Sequence, residues 1–137
     1  MNAQQFLSRY RAAKVDMERT ERLIAKITAL LEVHGVDTSN EKVQTSNIDD
    51  RTARLIAELV DARIDFEAAR DRSIQAMREI NALIERVPDS QQKRLLEMRY
   101  LEDKTWEEIA NGIHVSYRHV FNVRKRAREA VEMLISS

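Results

Sequence analysis

The sequence contains no cysteine, only two glycines and a single proline among 137 residues. The first absence excludes disulfides and thiolate metal sites and fits a cytoplasmic protein. The scarcity of Gly and Pro leaves too little turn chemistry for a β-sandwich or barrel. No apolar run approaches the roughly 18 residues that a membrane span needs. The stretch from Met1 to Lys14 carries Arg9, Arg11 and Lys14 without the apolar centre of a signal peptide. Nor does one charge dominate: 23 Lys and Arg face 23 Asp and Glu, so no net field steers the whole chain toward nucleic acid or membrane. What remains is a chain rich in Arg, Glu, Ala, Leu and Ile, which predicts an all-α protein with no membrane partner.

Two heptad seams organise the first two thirds. Phe6, Tyr10, Ala13, Met17, Thr20, Ile24, Ile27, Leu31 and His34 recur in alternating steps of four and three, with Leu23 and Leu30 widening the stripe. Gly35 stands where a left-handed C-cap belongs, and the polar stretch through Asn47 reads as a loop. The second seam runs Ile48, Thr52, Leu55, Leu59, Ala62, Phe66, Ala69, Ser73, Ala76, Ile80, Leu83 and Val87. Ser46 or Asn47 can cap it, with Asp49 and Asp50 in its first turn. Together the seams predict a long antiparallel, coiled-coil-like hairpin over residues 1–87, whose stripes are wider than one neighbour can cover. A homodimer or higher oligomer through the hairpin follows. Small residues at 62, 69, 73 and 76 predict close helix approach or a partly polar layer.

Pro88 ends this pattern, because it removes a backbone donor and disfavours helix at Val87. Beyond it, residues 88–137 predict a helix-turn-helix unit. Thr105-Trp106-Glu107-Glu108 has the form of a capping box that opens a short helix. That helix ends near Asn111-Gly112, and Ser116 caps a second helix running to about Leu134. Ile109, Ala110, Ile113, Val115, Val120 and Val123 are the inward positions, with Ala127, Val131 and Leu134 continuing the apolar stripe. At 100° per residue that stripe leaves Arg118, Asn122 and Lys125 on the opposite face. Arg118 suits guanine, Asn122 suits adenine, and Lys125 suits a base or a phosphate. Arg124, Arg126 and Arg128 flank them as phosphate contacts, joined by Ser116 and His119. No acid interrupts residues 116–128. The plainer reading is a solvated basic face.

The run Leu95-Leu96-Glu97-Met98-Arg99-Tyr100, the box Thr105-Trp106-Glu107-Glu108-Ile109-Ala110, the segment Val115-Ser116-Tyr117-Arg118-His119-Val120 and the pair Arg126-Ala127 resemble region four of bacterial sigma factors. More closely, the chain resembles small phage-encoded proteins that place a sigma-like helix-turn-helix behind a helical half, akin to ArpU/RinA-type late-transcription regulators. The match covers Pro88 to Leu134; before it, only length, heptads and the segment Lys42-Val43-Gln44-Thr45-Ser46 are similar. The resemblance implies that Tyr117, Arg118 and Asn122 read promoter bases. His114 departs from it, occupying the turn position where Gly usually supplies a left-handed backbone.

Other constellations carry no chemistry. His34, His114 and His119 lack metal-ligand spacing, no Gly-rich phosphate loop exists, and the acid pairs Asp49-Asp50 and Glu107-Glu108 suit helix starts. Trp106 reads as core filler or a domain-contact anchor before a stacking group. The expectation is therefore a non-enzymatic, cofactor-free regulator of phage or prophage origin that binds double-stranded DNA. Two alternatives stand beside it: a sigma-like module docking on host RNA polymerase, and a packaging protein similar to small terminase subunits.

Overall fold

The computed structural model describes residues 1–36 and 49–137. These are all-α: α1 (Ala3–Leu7), α2 (Arg9–Val33), α3 (Asp50–Glu85), α4 (Ser90–Leu96), a π-helical turn (Glu97–Leu101), α5 (Trp106–Gly112) and α6 (Tyr117–Ser136). Among the described residues no helix is long and apolar enough to cross a membrane. Compactness divides the chain into Met1–Ala13 with Arg72–Ser137, and Lys14–Asp71. This division differs from a boundary at residue 87. Helix α3 ends two residues earlier, at Glu85, but Ile80, Ile84 and Val87 bury with Leu95, Ile109 and Val120 in one apolar cluster. A unit of about 50 residues is marginal by itself, and here the C-terminal helices share their core with the ends of the long ones.

In the unit Lys14–Asp71, Ile27 and Leu31 of α2 cluster with Ile56, Leu59 and Ala62 of α3. The end of one helix meets the start of the next, which is the antiparallel hairpin the seams predict. Leu23 and Leu30 do not widen the buried stripe: they stay 47% and 40% exposed. His34 also leaves the seam, because α2 ends in a Schellman motif. Gly35 takes φ +76°, its N–H donates to the Glu32 carbonyl, and Val36 N–H reaches back to the Leu31 carbonyl. The expected loop through Asn47, the caps Ser46 and Asn47, the seam residue Ile48 and the similar segment 42–46 lie outside the described residues. Asp49 does the capping of α3. Its carboxylate accepts the Thr52 N–H at 2.8 Å, which holds its pKa below the ordinary aspartate value. The contribution is present above the ordinary aspartate pKa and fades as pH falls through the lowered one.

In the other unit the first seam meets a break. Asn2 and Gln5 form a capping box that opens α1, and the helix stops at Ser8 before α2 begins. Leu7, outside the expected seam, is fully buried, whereas Phe6 is half-buried with the Arg9 guanidinium 5.5 Å from its ring. The reason is docking. Ala3 N–H donates to Glu132 Oε1 at 2.6 Å and Tyr100 O–H donates to Gln4 Oε1, so α1 turns a different face inward, onto α6 and the π-helical turn. At the far end of α3, Arg9 pairs with Glu79 and holds that carboxyl below the usual glutamate range. Pro88 is followed by Asp89, whose carboxylate accepts Gln92 N–H and starts α4.

Candidate nucleic-acid interface

Each helix of the C-terminal pair begins where the sequence places it. Thr105 Oγ1 accepts Glu108 N–H at 3.2 Å while the Glu108 carboxylate accepts Thr105 N–H, the reciprocal capping box. Ser116 Oγ accepts His119 N–H at 3.0 Å, so the hydroxyl expected to meet a phosphate serves as the α6 cap and still has its O–H to donate. Between the helices Ile109, Ala110, Ile113, Val120 and Val123 are buried and Val115 is half-buried, as the inward positions require.

The turn is a second Schellman motif. Val115 N–H donates to the Ala110 carbonyl, His114 N–H to that of Asn111, and His114 carries φ +60°. The left-handed residue is therefore His114, not Gly112. At Gly112 a Cβ would stand 2.6 Å from Met98 Cε, so a larger residue there would require the end of the methionine side chain to shift. His114→Gly is expected to raise the unfolding free energy by about 0.5–1 kcal/mol, the αL penalty less the entropy of a new glycine. A urea midpoint that stays put or falls would mean that the imidazole contributes something that offsets its strain.

On α6 the buried residues Val120, Val123, Ala127 and Val131 turn one face inward. Arg118, Asn122 and Lys125 are all exposed, and their spacing of four and three aligns them on the face opposite. His119 and Arg126, also exposed, lie along one flank. Tyr117, Arg124 and Arg128 lie along the other, about 100° from the Arg118 row at 100° per residue. The arrangement thus separates Tyr117 from Arg118 and Asn122, with which the resemblance groups it.

That second flank holds what the sequence concealed. Tyr117 meets Phe121 edge to face at 5.3 Å, and Phe121 meets Trp106 at 5.7 Å. The guanidinium of Arg124 lies 4.9 Å from the Trp106 ring centroid and that of Arg99 4.7 Å. Arg124 and Arg128 are half-buried, and their Nε atoms are shielded. Trp106 is a packing residue, as expected, and a platform for two arginines besides. The four-and-three spacing of Tyr117, Phe121 and Arg124 could have disclosed the flank. Nothing in the sequence marks Arg99, because the π-helical turn sets its direction.

Four of the five carboxylates in residues 97–108 pair with other cations, and the fifth, Glu107, is exposed. Arg94 bonds Glu102 at 2.6 Å and Glu97 at 3.3 Å, which raises the Arg94 pKa above its ordinary value, chiefly through Glu102. Asp103 pairs with Arg11, and Glu108 with Lys104.

No curated protein and no solved structure shows a significant match to the chain. One family model does, covering residues 17–133, from within α2 through most of α6. The chain belongs to the DUF722 family, described as proteins of unknown function.

Proposed function

We propose that the chain is a sequence-specific double-stranded DNA-binding regulator of transcription, of phage or prophage origin. The observation that carries the reading is the row Arg118, Asn122 and Lys125, exposed on α6 opposite a buried stripe and free of acids over residues 116–128. A recognition helix needs that chemistry: bidentate donors for guanine, an amide for adenine and cations for phosphate, borne on a helix whose other face is fixed. The test is selection of bound fragments from a library of the replicon that encodes the chain, at near-physiological salt. Enrichment of one short motif is expected. Retention without enrichment would reduce the reading to non-specific binding, and retention on RNA polymerase alone would favour the docking alternative.

The hairpin supports association of copies. Leu23 and Leu30 on α2 and Val60 and Ile64 on α3 are 40–60% exposed within the unit Lys14–Asp71. Sedimentation equilibrium is expected to give at least a dimer at micromolar concentration, and a concentration-independent monomer would refute it.

A further inference from the structure

We propose that Arg99 and Arg124, stacked on Trp106, form a clamp for one DNA backbone phosphate beside the base-reading face. The proposal rests on the DNA-binding reading above and adds a site to it. Two guanidiniums share one indole, at 4.7 and 4.9 Å from its centroid. Each guanidinium lies over the ring, and because the Arg124 Nε is shielded from solvent, the terminal nitrogens are the donors left for phosphate oxygens. Arg99 uses one such donor on the Lys104 carbonyl at 3.1 Å, which fixes its plane.

Charge points the same way. Two cations on one ring repel unless an anion lies near. Among the described residues neither Arg99 nor Arg124 forms an ion pair, while Glu97, Glu102, Asp103 and Glu108 are each paired to another cation. Position supplies the remaining step. Arg124 lies on the α6 flank that faces α5, with Phe121 between it and the Arg118 row. In a helix-turn-helix the second helix enters the major groove and the first crosses the strand at its edge. A clamp between α5 and α6 meets that strand.

The experiment measures wild type, Arg99→Gln, Arg124→Gln and the double variant on a duplex bearing the selected motif, across a salt series. Because one phosphate is neutralised, the double change is expected to lower the slope of log K against log salt by about 0.9, and each single change by no more than that. Folded variants with wild-type slopes would overturn the clamp and leave the DNA-binding reading intact; a wild-type chain that binds no duplex would overturn both. A second measurement compares the wild type with the double variant on duplexes with single phosphates replaced by neutral methylphosphonates. One position at the groove edge is expected to weaken the wild type and to make no difference to the double variant, and the same pattern of losses in both proteins would again overturn the clamp.

Discussion

Leu7→Ala is expected to lower the unfolding free energy by about 2–5 kcal/mol, the range for truncating a buried leucine. Leu7 is 1% exposed, in a cluster with Val120, Val123 and Val131 of the C-terminal helices. A five-residue helix has no stability of its own in water, so α1 persists only through what it buries. Removing the isobutyl group takes away the apolar area that holds α1 down and leaves a cavity in the core that supports α6. Val15→Ala is the control: an apolar residue of the same seam region but 45% exposed and outside the apolar set assigned to association, whose truncation should shift stability by no more than about 0.5 kcal/mol. Denaturant titration of both variants decides the matter. Equal losses would mean that the first heptad seam, and not the docking of α1, governs the N-terminal segment.

Arg118→Ala is expected to cost about 1–3 kcal/mol on the selected DNA motif, roughly a 5- to 150-fold loss of affinity, with little change on random duplex. The residue is exposed in the first turn of α6 and belongs to the row directed away from the buried stripe, so its loss is expected to leave the fold intact and, on the DNA-binding reading, to remove only a base contact. Arg126→Ala, on the flank, should weaken both duplexes about equally and reduce the salt slope by about one. If Arg118→Ala loses affinity equally on both, α6 is an electrostatic rail and no base is read there. If neither variant changes binding to DNA, docking on RNA polymerase becomes the leading reading.

Periodicity determined a great deal. The second seam was legible nearly residue for residue, since Thr52, Leu59, Ala62, Ala69, Ser73, Ala76, Ile80 and Val87 are all buried. A helix that packs along one side must repeat its apolar residues at the helical period, whatever it packs against. Local chemistry was equally legible where a cap or turn is made by neighbours in sequence: the Thr105 box, the Ser116 cap and left-handed Gly35 need only residues within one turn. The Arg118, Asn122 and Lys125 row follows from angle alone.

Tertiary structure decided the rest. The break at Ser8 and the burial of Leu7 in place of Phe6 depend on α6, more than a hundred residues away in the chain, which α1 reaches through Ala3 and Glu132. No window of sequence contains that contact. The π-helical turn at Glu97–Leu101 was equally hidden: it shifts the register by which Met98 turns inward onto Gly112 and Arg99 turns onto Trp106. Periodicity fixes which face of a helix is apolar, because that is a property of the chain's own geometry. Which partner covers the face, and which cations then share one aromatic ring, is settled only when distant segments compete for the same buried surface.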